Sequence, residues 1–357
     1  MNTKVWKVDK YVDNLESNPH VVDAAHLIRE NEVVALPTET VYGLGGNAES
    51  DTAVAKIFTA KGRPGDNPLI IHIAEKVQLN RFVTEIPAKA EVLMDKFWPG
   101  PLTIIFNKKD GVLSEKATAG LSTVAVRMPD HPVALALLKK CGLPVAAPSA
   151  NSSGKPSPTK AEHVIDDLNG KIAGVLDGGS TGVGVESTVV DCTEEIPVIL
   201  RPGGVTKEQL EVVIGYVDVD PALTDDEARP KAPGMKYRHY APNAPLFMVS
   251  GTSRFLQQLV EEKQQEGLRV GVLTTEEQVA AYQADLVLAC GRRAELETVA
   301  AALYETLRGF NQKNVDIIFS EMFPGTGVGH AIMNRLQKAA GNRMISEKAP
   351  TPESSRE

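Results

Sequence analysis

The chain has little cysteine, no long apolar run and no excess of positive charge, and each absence removes a class of protein. Three cysteines among 357 residues (Cys141, Cys192 and Cys290) stand far apart. They form neither a disulfide framework nor a Cys-x-x-Cys metal pair, so a reducing cytoplasm is the expected home. No stretch approaches the roughly 18 apolar residues that a membrane-spanning helix needs. The opening residues, MNTKVWKVDKYVDNLES, lack the apolar stretch of a signal peptide, and no membrane contact is expected. Net charge is −8, and residues 1–210 hold 22 Lys and Arg against 26 Asp and Glu. No overall positive field therefore draws nucleic acid. One local basic stretch remains, RPKAPGMKYRHY (229–240), with Arg229, Lys231, Lys236 and Arg238 and no acid. The P-loop pattern GxxxxGKS/T and the GxSxG nucleophile elbow are also missing. TGVGVES (181–187) and PGTGVGHA (324–331) are glycine-rich, but neither fits GxGxxG, and turn chemistry accounts for both.

What is present is an ordinary globular composition, 42% hydrophobic and 24% charged, over a length that predicts two domains. Residues 1–215 alternate short strands and helices. Strands are predicted at 32–36, 68–73, 102–106, 123–128, 144–148, 187–191 and 197–201, with helices at 51–60, 87–97, 131–140, 159–168 and 206–214. Many short strands and fewer helices predict a mixed α/β sheet. Periodicity stops over 216–243, a stretch with clustered charge that reads as a linker. From 244 to 345, strands alternate with helices in a βαβα rhythm that implies a small parallel sheet. The tail from 346 to 357, ending KAPTPESSRE, is expected to be disordered.

Four polar loops stiffened by Pro or Gly each adjoin an apolar strand: PTETVYGLG (37–45), KGRPGDNP (61–68), APSANSSGKPSP (147–158) and RPGG (201–204). In open α/β sheets, ligands bind where such loops converge beyond the strand ends. These loops offer Lys61, Arg63, Asn67, Ser149, Asn151, Ser153 and Arg201, and Arg127 adds a cation at a strand end. Cations beside small hydroxyl and amide donors, without nucleophile logic, suit a nucleotide or phosphate ligand.

Together with WPGPLTII, VAVRMPDHP and GVESTVVD, these segments occur in the order seen in YrdC-like domains. The pairs Lys61/Arg63 and Ser149/Asn151 match that family's KxR and SxN signature. With the segment PGMKYRHYAP and a C-terminal α/β domain, the chain resembles the long form of the L-threonylcarbamoyl-AMP synthase family. The resemblance implies a twisted mixed sheet around a concave cleft (1–215), a linker or flap (216–243) and a smaller Rossmann-like parallel domain (244–345). It also implies a nucleotidyltransferase that turns L-threonine, bicarbonate or CO2, and ATP with Mg²⁺ into L-threonylcarbamoyl-AMP and pyrophosphate. The product would pass to the machinery that modifies adenosine beside the anticodon of tRNA.

Carried over residue by residue, the resemblance makes Lys61, Arg63, Ser149 and Asn151 the catalytic set. It puts Arg63, Asn67, Thr123, Ser149, Ser157, Arg201 and Tyr240 on ATP, and Thr40, His72, Arg127, Ala147 and Ser187 on threonine. Asn151 is expected to act on a phosphate oxygen or its Mg²⁺, and no protein metal ligand is expected. Tyr240, with His239 and neighbours Tyr237 and Arg238, is expected to close over ATP. The competing readings are a double-stranded RNA-binding module without turnover, in which the cations contact phosphate backbone, and a carbamoyl-phosphate-using transferase. The second would carry acylphosphatase and zinc-finger-like segments that this chain lacks. Weak RNA contact stays open at this stage.

Overall fold

The structure, a computed structural model, describes residues 2–221 and 239–347. Two sheets account for it. The larger contains eleven strands: β1 (Lys4–Lys7), β2 (Val34–Leu36), β3 (Gly43–Asn47), β4 (Ile70–His72), β5 (Leu102–Asn107), β6 (Thr123–Arg127), β7 (Val145–Ala146), β8 (Gly174–Asp177), β9 (Thr188–Asp191), β10 (Val198–Arg201) and β11 (Asp218–Val219). Their order is β1-β8-β2-β3-β7-β4-β6-β5-β9-β10-β11. Parallel pairs such as β4/β6 and β5/β9 alternate with antiparallel pairs such as β5/β6 and β9/β10. The expected mixed sheet is therefore present. Helices α1 (Pro19–Arg29), α2 (Asp51–Lys61), α3 (Ala88–Phe97), α4 (Glu115–Thr118), α5 (Pro132–Cys141), α6 (Ala161–Leu168) and α7 (Lys207–Ile214) pack around it.

The smaller sheet is wholly parallel, in the order β14-β13-β15-β12-β16. Its strands are β12 (Leu246–Ser250), β13 (Val270–Thr274), β14 (Leu286–Ala289), β15 (Ile317–Glu321) and β16 (Met344–Ser346). Helices α8 (Ser253–Gln265), α9 (Leu296–Gln312) and α10 (Gly329–Ala340) connect them. The expected βαβα rhythm is borne out. Ser346 closes β16, and the Glu347 carboxylate accepts from the Thr252 backbone at 2.8 Å. The rest of the expected tail, 348–357, lies outside the described residues.

One loop expectation is corrected. PTETVYGLG is a loop only in its first half, because GLGGN is the buried strand β3. Glycine is poor in strands unless something approaches closely. Here a Cβ on Gly45 would sit 2.8 Å from Leu36 Cδ2 and 3.1 Å from Val145 Cγ1, and one on Gly46 would sit 3.1 Å from Ile57 Cδ1.

Alternation along the central strands separates two faces. Ile71, Ile104, Val124, Val126 and Val190 enter the main core under the helices. Their neighbours Ile70, Ile105, Ala125, Val189 and Leu200 form a small apolar floor on the opposite face. His72, Arg127 and Ser187, two residues along from floor positions, share that face and line a cleft. Strict alternation would send Arg201 to the core with Ile199. A register shift between Ile199 and Arg201 instead turns Arg201 to the cleft.

The RPGG loop must pass close to the start of β9. A Cβ on Gly203 would lie 2.3 Å from the Glu186 carbonyl oxygen and 2.4 Å from the Thr188 nitrogen. Gly203→Ala is expected to lower the unfolding free energy by about 1–3 kcal/mol, seen as a lower urea midpoint at unchanged m.

Candidate active site

The cleft is walled by the loops that follow β2, α2 and β7 and by Arg201 at the end of β10, with Glu186 and Ser187 entering β9. Of the predicted residues, Thr40, Lys61, Arg63, His72, Arg127, Ala147, Ser149, Asn151, Ser187, Arg201 and Tyr240 all line it, as do Ser153 and His239. Three do not. Asn67 is fully buried, with neither amide atom hydrogen bonded among the described residues. Thr123 begins β6 opposite Asn107. Ser157 is buried behind the wall, donating to Glu186 Oε1 at 2.6 Å. Tyr237 and Arg238 lie outside the described residues.

Lys61 ends α2, where Gly62 takes the left-handed conformation (φ 61°) and turns the chain away. Its Nζ donates to the Ser149 carbonyl at 2.5 Å, the Asn151 carbonyl at 2.8 Å and Asn151 Oδ1 at 3.3 Å. An ammonium has three protons, and all three find acceptors in the SAN turn. The Ser149 hydroxyl also donates to Asn151 Oδ1 at 2.6 Å. Lys61 of the KxR pair and both residues of the SxN pair are thus one hydrogen-bonded unit. Burial first, and then neighbouring Arg63, hold the Lys61 pKa well below the usual lysine range.

At the other end, Arg127 fans its guanidinium in three directions. Nε donates to the Gly100 carbonyl at 3.2 Å, Nη1 to Thr40 Oγ1 at 2.8 Å, and Nη2 lies 2.5 Å from Glu39 Oε1. Glu39 was not singled out from sequence, yet it is the counter-ion of a buried arginine. His72 pairs in register with Arg127. Its Nδ1 lies 3.3 Å from the Ile70 carbonyl, which places the proton there and leaves Nε2 an acceptor.

Burial, with Arg127 second, depresses the His72 pKa to about 3. Between about pH 6.5 and 3 the unfolded histidine is protonated and the folded one is not. Stability present above pH 6.5 is therefore lost on acidification, at about 1.4 kcal/mol per pH unit from this residue. The urea midpoint is expected to fall from pH 7 to pH 5, and His72→Asn to fall less steeply.

Arg201 donates to the Ser187 carbonyl from Nε (3.1 Å) and Nη2 (2.9 Å), and to Ser187 Oγ at 3.1 Å. Ser187 Oγ also lies 2.7 Å from Thr103 Oγ1. Beside them Tyr240 is buried with φ 64°, a region that non-glycine residues rarely occupy. Its ring stacks on Tyr304 of α9, centroids 5.2 Å apart, and the Ala241 amide anchors the segment to the Gly154 carbonyl at 2.9 Å. Glu186, also missed from sequence, is the carboxylate among the lining residues. The three cysteines are buried and lie off the cleft, and burial pushes their thiols up to about 12.

Residues 26–203 match the family described as Telomere recombination (Sua5/YciO/YrdC), and residues 205–341 match the family described as Threonylcarbamoyl-AMP synthase, C-terminal domain. A curated threonylcarbamoyl-AMP synthase of Bacillus subtilis (strain 168) is 61% identical over 346 residues, covering 97% of this chain and 100% of the relative. The chain belongs to the threonylcarbamoyl-AMP synthase family. The relative of the same name from Pyrococcus abyssi is 50% identical, with 90% of this chain and 94% of the relative covered. A crystal structure described as P. abyssi Sua5 complexed with L-threonine superposes with a TM-score of 0.91 at 47% identity, covering 97% and 100% of the two chains. The long form expected from sequence, with both modules, is borne out. No helix among the described residues is long and apolar enough to cross a membrane.

Proposed function

We propose that the cleft joins L-threonine, bicarbonate or CO2, and ATP into L-threonylcarbamoyl-AMP, releasing pyrophosphate, and that the product feeds threonylcarbamoyl modification of adenosine beside the anticodon of tRNA. The observation that carries this reading is the gathering of four cations in one cleft. The Lys61–Ser149–Asn151 unit, Arg63 and Arg201 line it together with Arg127, Thr40 and His72. The P. abyssi relative described as complexed with L-threonine supports the substrate.

In this reading Arg127 and Thr40 take the threonine carboxylate, with His72, Ser187 and the Ala147 backbone around the rest of the amino acid. The amine nitrogen bonds to the carbon of CO2, losing a proton, to give a carbamate. A carbamate oxygen then attacks the α-phosphorus, and the bond to the bridging oxygen of the β-phosphate breaks. No enzyme nucleophile is needed, which fits a cleft whose thiols lie elsewhere and whose groups serve position and charge. Lys61 shapes the SAN turn and puts its cation beside the phosphates, while Arg63, Ser149 and Arg201 face phosphate oxygens and Tyr240 covers the nucleotide. Asn67, Thr123 and Ser157 belong to the ATP proposal through the family resemblance alone.

Mg²⁺ fits as an ion carried by the phosphates, neutralising charge there. Among the described lining residues, the Glu186 carboxylate is already engaged by Ser157, Tyr304 and Arg335, and the Asn151 oxygens accept from Lys61 and Ser149. Phosphate and water would therefore supply the ion's ligands, with the Ser149 hydroxyl oxygen beside them. The domain division at 215 and 244, and a cytoplasmic location, belong to the same proposal. Lys61, Arg127 and Arg201 are each no more than 5% exposed, out of reach of a duplex backbone, which disfavours the RNA-binding alternative.

Pyrophosphate release by the purified chain tests the reading. Release that requires threonine and bicarbonate together is expected. Release without them would reduce the activity to ATP cleavage, and no release would overturn the proposal.

A further inference from the structure

Glu186 stands where the cleft meets the C-terminal unit, and its carboxylate is held from that unit. Oε2 accepts from the Tyr304 hydroxyl at 2.7 Å and from Arg335 Nε at 3.0 Å, while Oε1 takes Ser157. Arg335, fully buried on α10, also donates from Nη1 to the Pro202 carbonyl at 2.6 Å, one residue from Arg201. The same two side chains flank Tyr240. Tyr304 stacks on its ring, and the Arg335 guanidinium lies 5.9 Å from the ring centroid. The apolar core of the C-terminal unit is continuous here with Val41, Val185 and Tyr240.

Charge bookkeeping gives this arrangement a consequence. Two buried guanidiniums, Arg201 and Arg335, lie beside the buried Glu186 carboxylate. Glu186 makes its hydrogen bonds to Arg335, while Arg201 holds Ser187 and lines the cleft. Without Arg335, Glu186 would draw more strongly on Arg201, and the field that Arg201 offers phosphate at that end would weaken. Tyr240 would lose one side of its seat in the same step. Arg127 and Thr40 take their partners elsewhere, from Glu39, Thr38 and Gly100, and Ser187 is the one threonine residue tied to this wall, through Arg201.

We propose that Arg335 and Tyr304 are positioning residues for ATP. By holding Glu186 and seating Tyr240, they make the C-terminal unit complete the nucleotide end of the cleft, while Arg127 and Thr40, which take the threonine carboxylate, keep their own partners. The inference rests on the synthase reading and deepens it.

The test is steady-state kinetics of the full chain carrying Arg335→Met, Arg335→Lys, Tyr304→Phe or Tyr304→Leu, with melting curves to establish folding. Arg335→Met is expected to raise KM for ATP roughly tenfold or more, with KM for threonine within about twofold. Arg335→Lys should recover part of that loss. Tyr304→Phe keeps the stack and loses one hydrogen bond, so a smaller rise is expected, with Tyr304→Leu above it. Folded variants whose KM for ATP stays within about twofold of wild type would overturn the inference. So would variants in which both KM values rise together, or in which kcat alone falls, as when a fraction of the protein is simply inactive. Should Arg335→Met not fold, Arg335→Lys and Tyr304→Phe decide by the same criteria. Wild type that shows no threonine- and bicarbonate-dependent release would instead sink the synthase reading.

Discussion

Lys61→Met is expected to lower kcat by about 10²–10³ while the chain stays folded. Methionine matches the length and removes the charge. The variant strips two backbone carbonyls of the SAN turn of this donor, while Asn151 Oδ1 keeps the Ser149 hydroxyl. An unsatisfied buried carbonyl costs about 1–3 kcal/mol, but removing an ammonium buried at 4% exposure offsets part of this. The stability change should therefore be modest and the kinetic change large. Turnover at saturating ATP and threonine, measured beside a urea titration, checks both. A loss of stability that accounts for the lost activity would make Lys61 a structural residue only.

Arg127→Lys is expected to raise KM for threonine about 100-fold, with KM for ATP nearly unchanged. The guanidinium serves Gly100, Thr40 and Glu39 in three directions from one plane, and a point-like ammonium cannot reproduce that fork. Charge-assisted contacts of this kind are worth about 1.5–3 kcal/mol each, so misplacing more than one gives a hundredfold effect. In the resting cleft Glu39 already pairs with Arg127, so the threonine carboxylate must share or replace that partner. Threonine titrations at fixed ATP would decide, and a rise confined to KM for ATP would assign Arg127 to the wrong substrate.

How much of this was readable in the sequence varies with the element. The four polar loops were readable because Pro, Gly and cations cluster in them, and each contributes to the cleft. Helix α1 was not predicted, although Val21, Ala24, Ala25 and Ile28 form a helical stripe and Asn18 caps it, accepting from the His20 amide at 2.9 Å. That signal was present and passed over. Strand β3 was hidden for a different reason. Its glycines answer to Leu36 and Ile57 in the flanking elements and to Val145 much further along the chain, and local propensity argues against them. The cleft also lies over a face of the central strands as well as at their ends, so His72 and Arg127 are placed by alternation rather than by loops. PLIIHI reads as a uniformly buried run and conceals this. Glu39 and Glu186 lie within PTETVYGLG and GVESTVVD, but cations gathered around an anionic ligand give no signal for carboxylates. Glu186 becomes legible only beside Tyr304 and Arg335, 118 and 149 residues further along.

The most direct test of the central claim is mass spectrometry of the reaction with ¹³C-bicarbonate, ATP, Mg²⁺ and threonine. The account predicts an adenylate carrying the threonine mass plus one labelled carbon, formed in step with pyrophosphate and lost when any substrate is omitted. Pyrophosphate accompanied only by AMP, with no labelled carbon in any adenylate, would contradict it.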